Sequence, residues 1–175
     1  MKLFFCFGVM LSMVSCSFFD QQSDYGRIAR GITAKTADKL EEEKGLICVG
    51  TGGQMMNDIQ MMMMGFQFFQ VVSIDTARQL LVDAVEEYLS AINTNKKVRP
   101  YLHNYPFTAK NVEIVIYFRN SDGHDVPPGK LYIAEANQGE MIYYIDYPEK
   151  HTMKSIHEET YEEALKIMNL QVQHN

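Results

Sequence analysis

The chain has 175 residues, 46% of them apolar, and a formal charge of −6 at pH 7. That length suits one domain able to bury its own core. An acidic chain gains nothing from the counterion release that drives binding to phosphate backbones, so nucleic acid is not an expected partner. Of the three cysteines, Cys6 and Cys16 fall within the first sixteen residues, which leaves Cys48 alone in the body of the chain and excludes a disulfide-built scaffold.

In chain order, Lys2 precedes an apolar run from Leu3 to Met10 that continues through Leu11, Met13 and Val14. This is the charged and apolar pattern of a signal peptide, and at about a dozen apolar residues it falls short of the roughly 20 that a spanning helix needs. The run ends in Met13-Val14-Ser15-Cys16, which resembles the lipobox of bacterial lipoproteins, with Met13 where that family usually has leucine. The resemblance implies that Cys16 receives a diacylglyceryl thioether and that cleavage falls before it. Each buried acyl CH₂ contributes about 0.8 kcal/mol, so two or three chains make a stable anchor. The plainer alternative is an ordinary secretory leader in which Cys16 is incidental. On the lipobox reading residues 1–15 are a signal peptide, 16–26 a lipidated terminus and tether, and 27–175 a single α+β domain.

Residues 27–44 read as a helix with Ile28, Ile32 and Leu40 along one side, ended by Gly45. A short strand over 45–49 and a turn at Gly50-Thr51-Gly52-Gly53 follow. A glycine-rich segment after a strand raises the idea of a phosphate loop, but the lysine and hydroxyl residues of a P-loop are missing, and a plain turn is favoured. Cys48, in the run Leu46-Ile47-Cys48-Val49, reads as a buried small hydrophobe. Residues 55–72 read as a long strand buried on both faces. Its methionines, Met61 to Met64 above all, could offer soft thioethers to Cu(I), but consecutive strand residues point to opposite faces and core packing is favoured.

Residues 73–94 form the clearest helix, with Ser73 as cap, Asp75 near the positive end, and a stripe through Ala77, Leu80, Leu81, Ala84, Val85, Tyr88, Leu89 and Ile92. In the segment that follows, Tyr101, His103 and Tyr105 share one side if the chain runs extended. A histidine between two phenols could move protons or grip a polar ligand; a structural cover that satisfies backbone groups is the favoured reading.

From Val112 the alternation is that of a half-buried strand, and strands at 130–136 and 140–147 are joined by a hairpin at Asn137-Gln138-Gly139. Asp122, His124 and Asp125 lie in a polar loop and could be offered to a metal, but turn chemistry explains them equally well. A closing helix is predicted over 154–169, with Glu158, Glu159, Glu162 and Glu163 in its early turns, where a solvated acidic face is favoured over paired catalytic carboxylates.

The order α-β-β-α-β-β-β-α predicts an α+β fold, a mostly antiparallel sheet of about five strands packed with two main helices. The segments Leu80-Leu81-Val82, Ile92-Asn93, residues 99–107 and Tyr161-Glu162-Glu163-Ala164 resemble an uncharacterised family of small lipoproteins from intracellular bacteria such as chlamydiae. That resemblance implies an envelope location and supplies no activity. The expectation is therefore a protein lipid-anchored in a bacterial membrane at Cys16, facing the periplasm or cell surface, and acting as a non-enzymatic binding or scaffolding domain. Its possible ligand contacts are Tyr101, His103 and Tyr105, and no cofactor or metal is expected. Two alternatives stay open: a periplasmic hydrolase or acid–base enzyme using His103 or His124 with a carboxylate brought near by the fold, and a methionine-based copper binder.

Overall fold

The computed structural model describes residues 24–147 and 152–173. The leader, Cys16 and the start of the expected tether lie outside them. Helix α1 (Asp24–Lys44) leads into strands β1 (Ile47–Gln54) and β2 (Met61–Phe68), helix α2 (Ile74–Thr94), strands β3 (Val112–Phe118), β4 (Leu131–Asn137), β5 (Glu140–Tyr147) and β6 (Thr152–Thr160), and helix α3 (Tyr161–Gln173). The six strands form one sheet in the order of the chain. Pairing is antiparallel throughout except between β2 and β3, which run parallel because α2 carries the chain back to the starting end. An α+β fold is what the sequence predicts.

The side chains of β2 explain the layering. Met62, Met64, Phe66 and Phe68 are buried and stand beside Val112, Ile114, Ile116 and Phe118 of β3, so every second residue of both strands faces the same core. Helix α1 packs on β1 and β2, α2 on β3 and β4, and α3 on β6, with α1 against α2 and α2 against α3. The opposite face presents Met61, Met63, Glu113, Tyr117, Glu135, Ile142 and Tyr144, all partly exposed.

Several boundaries are legible in the sequence. Ser73 caps α2 by accepting a hydrogen bond from the Thr76 N–H. Gly45 ends α1 at φ 70°, a conformation that costs a residue with a Cβ. The hairpin between β4 and β5 turns at Gln138 and Gly139, both with positive φ, as a two-residue connection requires.

Four expectations need correction. The sheet has six strands, not about five, because residues 152–160 are a strand and the closing helix begins at Tyr161 rather than 154. Glu158 and Glu159 therefore sit on β6, not on early helical turns. The glycines at 50, 52 and 53 lie inside β1, which runs to Gln54, so the turn to β2 is made by residues 55–60. The long strand predicted over 55–72 shortens to Met61–Phe68, since Ile59 leaves the sheet to bridge to Leu102. Finally, α1 starts at Asp24, so residues 24–26 belong to the folded domain and not to a tether.

Candidate functional site

The segment that holds Tyr101, His103 and Tyr105 is not extended. Residues Arg99–Tyr101 form a 3-10 turn, after which the chain is stitched to its neighbours by its backbone. The Ile59 N–H donates to the Tyr101 carbonyl at 2.8 Å and the His103 N–H to the Ile59 carbonyl at 2.9 Å. The Asn93 side chain of α2 brackets Phe107, donating to its carbonyl at 2.9 Å and accepting from its N–H at 2.8 Å. The three predicted contact residues have three different partners. Tyr101 packs its ring 5.6 Å from Tyr25, Tyr105 lies under the Arg99 guanidinium at 4.3 Å, and His103 places Nδ1 2.7 Å from Asp58 Oδ2. The fold thus brings to His103 a carboxylate 45 residues away in the chain. The bond to His103 holds the Asp58 carboxyl below its ordinary range.

A second histidine site escaped the sequence reading. Arg78 of α2 and Glu159 of β6 have side chains 6% and 5% exposed and pair through Arg78 Nε, which donates to Glu159 Oε1 at 2.7 Å. The Tyr143 hydroxyl of β5 donates to the same oxygen at 2.6 Å, and Arg78 Nη1 also donates to Asp75. Burial opposes the arginine's charge, but its bonds to Glu159 and Asp75 outweigh that and raise its pKa. Burial first and then the Glu159 bond push the Tyr143 phenol far above its ordinary value.

The other oxygen, Glu159 Oε2, is buried and has no hydrogen-bond partner, and it lies 3.6 Å from His157 Nε2, which is likewise buried and unbonded. The His157 side chain is 39% exposed and borders a cleft of about 370 Å³ lined also by Glu163, Lys166 and Ile167. The His157 ring also lies 5.4 Å from that of Tyr143, so the fold sets an imidazole, a phenol and a guanidinium around one buried carboxylate at the side of this cleft. The one local signal was Thr160-x-x-Glu163, a capping box that marks the true start of α3; a bulge between Ser155 and His157 breaks the alternation of β6.

The remaining candidates take structural positions. Met62 and Met64 are fully buried toward the helices while Met61 and Met63 face the other way, so the consecutive thioethers do not converge. Cys48 is half-buried against the core with its Sγ 3.6 Å from the Gly50 carbonyl, rather than fully enclosed. Asp122 accepts from the His124 N–H at 2.9 Å and Asp125 pairs with Arg119, which is turn chemistry. Among the described residues no group of three or more His, Cys, Asp or Glu is placed to hold a metal ion, and no helix is long and apolar enough to cross a membrane. Compared with known proteins, the chain matches no family model, no curated protein and no solved structure.

Proposed function

We propose that the chain is a lipid-anchored domain of a bacterial envelope, held through Cys16, whose folded part binds or scaffolds other components and is not itself an enzyme. The observation that carries this reading is the short apolar leader ending in Met13-Val14-Ser15-Cys16. The start of α1 at Asp24 agrees with it: residues 17–23 reach at most roughly 25 Å when extended, which keeps the domain close to the membrane surface. The resemblance to small lipoproteins of intracellular bacteria points to the same location.

The test is the intact mass of the protein extracted from membranes of its host. A chain beginning at Cys16 with two or three acyl chains is expected, and Cys16→Ala abolishes the lipid and leaves the leader uncut by the lipoprotein peptidase. An unmodified cleaved chain in the soluble fraction overturns the anchor.

The contact of Asp58 with His103 favours a second reading, an acid–base enzyme. A carboxylate on Nδ1 is the orientation a general base needs, although both side chains are substantially exposed, where water weakens such a pair. Hydrolysis of p-nitrophenyl esters or glycosides by the purified protein, lost in His103→Ala, would replace the binding reading with this one.

A further inference from the structure

Among the described residues β1 pairs only with β2 and forms one edge of the sheet; β6 forms the other. Sheet edges expose unpaired N–H and C=O groups, and proteins guard them with charge, proline, bulges or cover. Strand β6 is guarded by Lys154, His157, Glu158 and Glu159. Strand β1, Ile-Cys-Val-Gly-Thr-Gly-Gly-Gln, carries no charge and no proline, and apart from Cys48 every residue in it is exposed. Ile47 is 39% and Val49 51% exposed, and the bulge at Val49, which falls outside the pairing with β2, interrupts the edge near its start and leaves residues 50–54 paired in regular register. Beside the strand, Gly50 stands opposite Gly65 of β2, so the backbone is bare of side chains there, and a Cβ built on Gly50 meets nothing within 4 Å.

We propose that the outer edge of β1 is a docking site for an extended segment of another protein, which adds as a seventh strand and places bulky apolar side chains beside the glycines. This deepens the binding reading above by naming its surface and partner class, and it does not depend on the lipid. The backbone of β1 supplies the hydrogen bonds, as in strand addition generally. Glycine offers no cross-strand side-chain contact of its own, so a large neighbour on the incoming strand has the most to add. The absence of charge on β1 selects an apolar, uncharged segment. The same glycines disfavour a second copy of this chain. In antiparallel pairing of β1 with itself, registers centred on Gly50, Thr51 or Gly52 set glycine against glycine and lose the side-chain pairs that stabilise a sheet.

The experiment uses the full chain purified in detergent from its host, from whichever fraction carries it. The probe is a short peptide alternating phenylalanine and valine with acetylated and amidated ends, and its control is the same peptide N-methylated on alternate residues so that it cannot pair along one edge. Hydrogen exchange read by mass spectrometry is expected to show new amide protection over residues 47–54 with the probe and none with the control. Val49→Lys and Gly50→Lys, both at open positions, place a charge on the edge and are expected to weaken binding about tenfold with the melting temperature unchanged. The proposal is overturned by equal binding of the methylated control, by protection elsewhere, by unaltered affinity in both variants, or by no binding up to about 1 mM. It is also overturned if the β1 amides that do not bond to β2 are already protected without peptide, whether in a sedimenting dimer, which makes the occupant a second copy, or in a monomer, which makes it the chain's own N-terminal residues. Neither variant touches Cys16, so the acyl mass at that residue is the same in both, and the anchor and the docking edge can fail separately.

Discussion

Arg78 and Glu159 meet across 81 residues of sequence in a place where apolar side chains would pack as well. Desolvating two charges offsets most of their attraction, so the pair adds little net stability, yet either partner left alone is an uncompensated buried charge. Arg78→Ala or Glu159→Ala is therefore expected to cost about 3–5 kcal/mol in urea unfolding, and the double substitution Arg78→Met with Glu159→Leu much less than the sum of the two. Additive losses would show that the two side chains act independently. The glycines of β1 give a second contrast at this scale. A Cβ at Gly53 would lie 2.6 Å from the Met61 carbonyl oxygen, which forces the backbone to move, whereas Gly50 opens on empty space. Gly53→Ala is expected to destabilise by about 1–3 kcal/mol and Gly50→Ala by much less. Equal melting temperatures for the two would contradict the close approach.

At the scale of the element, the boundary between β6 and α3 depends on one capping box. The Glu163 N–H donates to Thr160 Oγ1 at 3.2 Å, and Glu163 Oε2 accepts from the Thr160 N–H at 2.8 Å and its hydroxyl at 2.9 Å. Thr160→Ala removes half of the box and is expected to cost about 1 kcal/mol, read as a lower urea midpoint with α3 exchanging its amides faster than the sheet. The bond from the Thr160 N–H, and then that from its hydroxyl, hold the Glu163 carboxyl below its ordinary range. A depressed carboxyl stabilises the fold above its unfolded pKa, and the contribution disappears as pH falls through the folded value. Helix α3 is thus expected to fray first on acidification, and Glu163→Gln to remove that pH dependence.

Across the whole molecule, three buried tyrosines tie the layers together. Tyr88 of α2 shares a 2.7 Å hydrogen bond with Thr33 of α1, Tyr143 joins β5 to Glu159 of β6, and Tyr161 opens α3. Burial is the largest cause raising all three phenols, Tyr161 to about 12 and the other two further. Unfolded tyrosines release their protons near about pH 10, so above that the folded state holds more protons than the unfolded one. Stability contributed this way is fully present below about pH 10 and falls as pH rises toward the folded values. Absorbance titration at alkaline pH should show a group of phenols that ionise only as the fold is lost. Three tyrosines titrating near 10 in the native protein would contradict their burial.

Some of this was determined by the sequence itself, because the information is local. The cap at Ser73, the stop at Gly45, the alternation from Val112 and the hairpin at Asn137-Gln138-Gly139 each depend on residues within one turn or one strand of each other, and together they lead to an α+β fold. What only the tertiary structure decided involves partners far apart. Strand β6 was hidden because its core-facing positions hold His157 and Glu159, polar residues made tolerable inside by Arg78 and Tyr143 from elsewhere in the chain. The glycines of β1 read as a turn because nothing nearby shows that Met61 to Gly65 lie alongside to pair with them. Asp58 came to His103 only through the backbone bonds that join Ile59 to the segment around Leu102. A pairing between distant segments leaves no periodicity in either, so it becomes visible only when the chain has folded.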